Sequence, residues 1–181
     1  MKTSQITFKL IFTLIMLLPF LLSCRSVSVT DYIENKPVLI PKEFFNGRLI
    51  ANGIVKNRAG RVERYFTAVI NASWKEGIGT LDEDFIFNDG EKQNRKWTLR
   101  PQADGSYIAT APDVIGDGIL KVSGNSIFLD YVLRISYDGS EYDITIDDRM
   151  YLVSDNVLLN ESLLTKWGFT VGSLTLVIEK Q

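Results

Sequence analysis

The chain has 181 residues, among them 20 basic and 22 acidic residues, one cysteine and no histidine. The small negative net charge argues against a nucleic-acid-binding protein. The absence of histidine excludes the usual Ser-His-Asp and Cys-His catalytic sites and leaves no histidine ligand for zinc. A single cysteine cannot form an intramolecular disulfide, so side-chain packing must stabilise the fold.

Residues 1–23 have the pattern of a secretory signal peptide. Lys2 and Lys9 form a basic start, and residues 10–22 form an apolar core. This core is shorter than the roughly 20 apolar residues that a transmembrane helix needs. The sequence Leu21-Leu22-Ser23-Cys24 that follows resembles the lipobox of bacterial lipoproteins.

The resemblance to a lipobox implies that the chain is cleaved before Cys24 and that Cys24 carries acyl chains such as palmitate. Several acyl chains make a durable membrane anchor. An ordinary signal peptide followed by an unmodified cysteine is the alternative. Because Arg25, and not Asp, follows the cysteine, the sorting rule of Gram-negative lipoproteins implies the periplasmic face of the outer membrane.

After the signal peptide, the sequence predicts a lipidated cysteine and tether over residues 24–43 and a single domain over residues 44–181. Pro37 and Pro41 oppose regular structure in the first segment, which we expect to hold the domain away from the bilayer. From Phe44 onward, β-rich runs alternate with turn signals at intervals of about ten residues. Examples of these signals are Asp89-Gly90, Asp104-Gly105 and Asp138-Gly139.

The β-rich runs predict ten strands. They lie near residues 47–56, 61–74, 79–88, 94–100, 106–111, 118–123, 126–137, 140–152, 156–166 and 169–179. In the run 126–137, apolar residues alternate with polar ones, which predicts one buried and one solvated face. Sequential strands joined by tight turns predict an all-β, antiparallel meander that closes as an up-and-down β-barrel. A β-sandwich is the alternative.

Four segments carry a resemblance to a known family. They are Phe44-Phe45-Asn46-Gly47, Arg58 to Val62, Gly79 to Phe85 and Met150 to Gly172. In this order they resemble the bacterial family called domain of unknown function 3833 (DUF3833). The resemblance implies a lipoprotein with a lipocalin-like β-barrel and implies no catalytic activity. It also carries over six candidate ligand-binding residues: Arg64, Asp82, Asp84, Asp148, Asn160 and Lys166.

Arg64 shares a predicted strand face with Phe66 and Ile70, so its charge needs a partner. Asp82 and Asp84 share one face of the next strand, and an antiparallel hairpin would place them beside Arg64. Two interpretations follow from such a contact. It is a buried ion pair that fixes the strand register, or it is part of a ligand site.

Other carboxylates suggest weaker alternatives. Glu83 points to the opposite face from Asp82 and Asp84, so these three residues do not form one calcium-binding cluster. Asp148 shares a face with Ile146 and is a candidate for an inward carboxylate. Two inward carboxylates, for example Asp148 and Asp84, would allow acid and base catalysis of the glycosidase type. We expect no metal ion and no cofactor.

The sequence therefore predicts a membrane-anchored, non-enzymatic envelope lipoprotein that binds or carries a lipid or another apolar molecule in its barrel. Arg64 would orient an anionic head group, and the small residues Ala51 and Gly53 would leave room for the ligand. The first alternative is a barrel with a filled core that acts on a protein partner, and the second is a carboxylate-dependent hydrolase. A cavity above roughly 300 Å³ would favour ligand binding.

Overall fold

The computed structural model describes residues 26–137 and 139–181. The predicted signal peptide, Cys24, and Asp138 of a predicted turn lie outside these residues. Within the described ranges, no helix has the length and hydropathy needed to cross a bilayer.

Ten antiparallel strands make up most of the structure. They are β1 (Gly47–Asn57), β2 (Val62–Lys75), β3 (Ile78–Phe87), β4 (Lys92–Pro101), β5 (Tyr107–Thr110), β6 (Val114–Ser123), β7 (Ser126–Tyr137), β8 (Ser140–Ser154), β9 (Val157–Lys166) and β10 (Phe169–Lys180). Each strand pairs with its sequence neighbours, and β10 pairs with β1, so the sheet is a closed barrel. The predicted up-and-down barrel is thus confirmed, and the sandwich alternative is wrong. Because every strand has both partners within the described residues, this part of the chain is a complete barrel.

The predicted strand bounds agree with the structure to within a few residues. The largest difference is at β6, which begins at Val114 rather than near residue 118. Its pairing with β7 is irregular between Ile115 and Ile119, and Gly116 between them has a φ of 71°. This bulge interrupts the alternation by which strands are recognised in a sequence.

The inward faces of the strands carry the core. On β2, Phe66, Ala68 and Ile70 are buried, and on β8, Ile144 is buried whereas Thr145 is exposed. Strands place every second side chain on the same face, which accounts for this alternation. Burial of each large apolar side chain contributes about 1.5–3 kcal/mol.

The segment before β1 closes one end of the barrel, which we call the closed end. It contains a 3₁₀ helix (Val29–Tyr32) and a short α-helix, α1 (Pro41–Phe44). Phe44 and Phe45 belong to the buried core, and the Trp74 indole donates a hydrogen bond of 2.7 Å to the Phe45 carbonyl. The opposite end, where β2 begins and β9 ends, is called the far end.

The described part of the predicted tether packs on the barrel. Val29 is buried, and the Tyr32 ring packs against Tyr151 with a centroid distance of 5.4 Å. The Leu39 amide donates a hydrogen bond of 2.8 Å to the Gly124 carbonyl. A role as a spacer stays a prediction for the residues that precede the 3₁₀ helix.

Gly53 makes room for a side chain of the barrel itself. A Cβ atom at Gly53 would lie 2.5 Å from Cζ of Phe66 and 2.9 Å from Cβ of Leu176. The space beside Gly53 is therefore occupied, and the expectation that it leaves room for a ligand is wrong. Ala51 does border the internal cavity.

Candidate functional site

The barrel contains a cavity of about 130 Å³. Its apolar wall comes from strands around the barrel: Ala51, Phe66, Ile70, Leu81, Phe85, Trp97, Leu120, Leu129, Leu174 and Leu176. An engineered cavity of about 150 Å³ binds benzene, whereas pockets for larger ligands begin at about 300 Å³. The cavity is therefore below the volume that was expected to favour ligand binding, and it has room for only one ring or a short apolar chain.

Polar side chains interrupt this apolar wall. We call them the inner polar cluster, and they are Glu83, Arg95, Asp113, Tyr131, Asp148, Asn160 and Ser162. All except Asp113 border the cavity, and Asp113 joins them through Arg95 from the loop between β5 and β6. The members on strands occupy inward positions in rows that are otherwise apolar, so each polar group needs a partner.

Asp148 is a buried carboxyl group, with 7% of the residue exposed. It accepts hydrogen bonds from the Ser162 hydroxyl, from the Asn160 amide at 3.0 Å and from the Tyr131 hydroxyl at 3.5 Å. Burial raises the pKa of Asp148, and the hydrogen bonds from Ser162 and Asn160 oppose this rise. The three donors fix the orientation of the carboxyl group beside the cavity.

Glu83 borders the same cavity and has an unusual pKa. Burial raises the pKa of Glu83 to about 7, although the positive charge of Arg95 acts to lower it. The negative charges of Asp148 and Asp113 raise it further, and a hydrogen bond from Trp97 lowers it. A carboxyl group with a pKa of about 7 can accept or donate a proton near neutral pH.

Arg95 is engaged by Asp113. Its Nε donates a hydrogen bond of 2.9 Å to Oδ2 of Asp113, and its Nη2 lies 2.8 Å from the same oxygen. The two side chains are 20% and 36% exposed, respectively, so this pair is only partly enclosed. Among the described residues, no cation forms an ion pair with Glu83 or Asp148.

Tyr131 and Trp97 connect the two carboxyl groups. Their rings pack edge to face, with centroids 5.2 Å apart and an interplanar angle of 88°. The Trp97 indole acts as a donor that slightly lowers the pKa of Glu83, and the Tyr131 hydroxyl donates a hydrogen bond of 3.5 Å to Asp148. Burial raises the pKa of Tyr131 well above its ordinary value, so its hydroxyl remains a neutral donor.

The structure brings together two of the six residues that the family resemblance carries over. Asp148 and Asn160 lie in the inner polar cluster, where Nδ2 of Asn160 is 3.0 Å from Oδ1 of Asp148. Asp82 and Asp84 face outward, where the Asn94 amide donates hydrogen bonds of 2.8 and 2.9 Å to them.

Arg64 lies on the inward row of β2 near the far end. Its Nη2 lies 3.1 Å from Asp89 and 2.7 Å from Glu91, and its guanidinium carbon is 3.7 Å from the centroid of the Phe87 ring. The expected ion pair of Arg64 with Asp82 or Asp84 is therefore wrong. The inward residues have even numbers on β2 and odd numbers on β3, so the two aspartates point away from Arg64.

Lys166 lies at the end of β9, also at the far end. Its Nζ is 3.9 Å from the centroid of the Tyr142 ring and 4.8 Å from that of Trp167. Neither Lys166 nor Arg64 borders the cavity. Their roles in ligand binding stay predictions.

Five members of the inner polar cluster are not among the predicted site residues: Glu83, Arg95, Asp113, Tyr131 and Ser162. Glu83 does carry a signal in the sequence, because it is the only charge in the row formed with Leu81 and Phe85. The same signal singles out Arg64 on β2. The two inward carboxylates are thus Asp148 and Glu83, and the expectation that Asp84 is one of them is wrong.

The cluster offers negative charge, hydrogen bonding and, at Glu83, proton transfer. In the ranges that the structure describes, no group of three or more Asp, Glu, His or Cys residues is arranged to hold a metal ion.

Two comparisons relate the chain to known proteins. The model of the family described as "Protein of unknown function (DUF3833)" matches residues 18–180. The S-type phycobiliprotein lyase CPES from Guillardia theta has a similar solved structure, with a TM-score of 0.58 and 10% sequence identity. The match covers 86% of this chain and 93% of that chain. No curated protein matches the sequence.

The likeness to the lyase concerns the fold alone, yet it corrects one expectation. The sequence predicts a barrel of this kind and a protein that is not an enzyme. A solved protein with a similar barrel is named as a lyase. The expectation that the chain is not an enzyme is therefore wrong as a deduction from its fold, because function depends on the site that a fold carries.

Proposed function

The chain belongs to the DUF3833 family, and we propose that its barrel binds an apolar molecule whose polar group contacts the inner polar cluster. The observation that carries this proposal is a cavity with an apolar wall that also exposes the carboxyl groups of Glu83 and Asp148. Buried acid groups cost stability, and apolar side chains of similar size often do better in such positions. A barrel filled only for structure would not need them.

The volume of about 130 Å³ limits the part of the ligand that is buried. A single ring or the end of an acyl chain fits this space. A larger ligand such as a lipid would therefore be held by one end, with its polar group near the cluster.

The similar fold of the phycobiliprotein lyase supports a ligand-binding barrel. Chemistry on the bound molecule is the second candidate function, and the pKa of about 7 at Glu83 favours it. A general acid or base works best when its pKa is near the working pH.

We also propose that Cys24 carries a lipid anchor and holds the barrel at the periplasmic face of the outer membrane. The lipobox pattern of residues 21–24 supports the anchor. The 3₁₀ helix that begins at Val29 packs against β6 and β7. An anchor at Cys24 would therefore be joined to the barrel by only a few residues.

Replacement of Cys24 by serine tests the anchor, because a hydroxyl cannot take the place of the thiol that the lipid needs. We expect the Cys24→Ser protein to leave the membrane fraction and to lose metabolic labelling with palmitate, whereas Ser26→Ala keeps both. Membrane retention and labelling of Cys24→Ser would refute the anchor.

Blocking the cavity tests ligand binding. Leu176 borders the cavity, and Val177 lies on the opposite face of the same strand. We expect native mass spectrometry of residues 25–181, purified from cells under mild conditions, to show a bound small molecule in the wild type and in Val177→Trp. Leu176→Trp should carry none, because its indole occupies the space.

Circular dichroism at the same protein concentration shows whether the two tryptophan variants are folded. A ligand that remains in a folded Leu176→Trp variant would place binding outside the cavity. A folded wild type that is always empty would favour the alternative of a filled barrel that acts through its surface.

A further inference from the structure

The inner polar cluster contains more acid than base. Its charged groups are three carboxyl groups, Glu83, Asp113 and Asp148, and one guanidinium group, Arg95. The contacts of 2.9 and 2.8 Å with Asp113 largely balance the charge of Arg95. The two carboxyl groups that border the cavity are therefore left without a counter-charge in direct contact.

The two carboxyl groups also differ in their hydrogen bonds. Asp148 accepts hydrogen bonds from Tyr131, Asn160 and Ser162. The Trp97 indole is the one donor that acts on the pKa of Glu83, although a carboxylate has room for about four donors. Glu83 is thus an enclosed acceptor with unused capacity beside the cavity.

We propose that the ligand of this cavity is an apolar molecule with a protonated amine, and that the amine binds between Glu83 and Asp148. The inference rests on the proposed function, since it concerns the same cavity. An ammonium group supplies a positive charge and three donors, which are what the cluster lacks. An anionic group would instead meet these two acid groups, and the one guanidinium group that borders the cavity, that of Arg95, is already paired with Asp113.

The ionisation of Glu83 gives this binding a characteristic pH dependence. The charged and titratable groups that face it are Arg95 on β4, Asp113 in the β5–β6 loop, Tyr131 on β7 and Asp148 on β8. Because the pKa of Glu83 is about 7, an amine should bind more tightly at pH 8 than at pH 5. A neutral ligand should show little change, and an anionic ligand should show the opposite change.

Three probes with the same ring separate these cases: benzylamine, benzyl alcohol and benzoate. Their ring matches the size of the cavity. We measure binding to residues 25–181 by NMR titration at pH 8. Benzylamine should bind about tenfold more tightly, or better, than benzyl alcohol, and benzoate should bind most weakly. Glu83→Gln should remove the preference for the amine, and Asp84→Asn, which changes an outward carboxylate on the same strand, should keep it.

The outcomes distinguish this inference from the function on which it rests. Binding of benzoate as tightly as benzylamine, or an undiminished amine preference in Glu83→Gln, would overturn the amine and leave the apolar cavity as a binding site. If none of the three rings binds to the folded barrel, the inference and the proposed function both fail.

Discussion

Replacement of Glu83 by glutamine is expected to raise the free energy of unfolding by about 3 kcal/mol at pH 8 and to change it little at pH 4. Burial raises the pKa of Glu83 from 4.5 to about 7 in the folded protein. The unfolded chain releases the proton near the ordinary pKa, so between these values the folded state holds more protons. The wild-type barrel therefore loses stability as the pH rises through this window, and glutamine, which cannot ionise, avoids the loss.

Urea unfolding of the wild type and of Glu83→Gln between pH 4 and pH 9 measures this difference. The matched control is Asp84→Asn, an exposed position on the same strand, which should stay within about 0.5 kcal/mol of the wild type. Burial also raises the pKa of Asp148, so the variant should retain a pH dependence of the same sign. A Glu83→Gln protein no more stable than the wild type at pH 8 would show that Glu83 ionises without cost.

The expected stabilisation bears directly on the proposed function. A residue whose replacement strengthens the fold contributes something other than stability, and such residues concentrate where proteins bind or react. Glu83 borders the cavity of the barrel together with a second carboxyl group, that of Asp148. The stability that Glu83 costs and its position beside the cavity thus both support a role of Glu83 in ligand binding.

Local sequence patterns were sufficient to predict the barrel. These patterns are the alternation of apolar and polar residues in β7 and β8 and the turn signals between the strands, and each spans only a few residues. Each strand then pairs with its neighbour in the sequence. Among the described residues, the pairing of β10 with β1 is the only strand pairing that joins segments far apart in the sequence. The bulge after Ile115 is the exception, because it depends on how β6 meets β7.

The length of the β2–β3 turn explains why Asp82 and Asp84 face outward and not toward Arg64. A two-residue turn, Glu76-Gly77, joins β2 to β3, so that Lys75 pairs with Ile78. With a turn of two residues, even-numbered positions on one strand always face odd-numbered positions on the other. Because the inward positions of β2 are even-numbered, those of β3 are odd-numbered, so Glu83 faces inward and Asp82 faces outward. This result can be predicted when the strand alternation and the turn length are considered together.

Contacts between distant segments are harder to predict. The closed end forms where Leu39 meets Gly124, far along the chain, and no periodicity in the sequence encodes this contact. Asp113 is different, because it lies in the loop that follows β5. The register of the β4–β5 pair, continued by three residues, places it opposite Arg95, at 2.8 Å.

Replacement of Arg95 by methionine is expected to lower the free energy of unfolding by about 2 to 3 kcal/mol at pH 7. Methionine keeps an unbranched stem but removes the guanidinium group that contacts Asp113 at 2.9 and 2.8 Å. It also removes the positive charge that lowers the pKa of Glu83. The expected loss is below the roughly 3–5 kcal/mol of a fully buried pair, because 36% of the Asp113 side chain is exposed.

The double variant Arg95→Met, Asp113→Asn decides what Arg95 contributes, with urea unfolding at pH 7 as the measurement. Glu83 stays in place, because its replacement alone is expected to stabilise the fold. If Arg95 acts as a counter-charge to Asp113, the double variant should regain much of the lost free energy, because the unpaired carboxylate is gone. If it stays as unstable as Arg95→Met alone, the loss comes from packing of the stem near Phe85, whose ring centroid is 5.8 Å from the guanidinium carbon. Recovery would mean that Arg95 balances Asp113 and that the charge left at Glu83 and Asp148 is available to a bound cation.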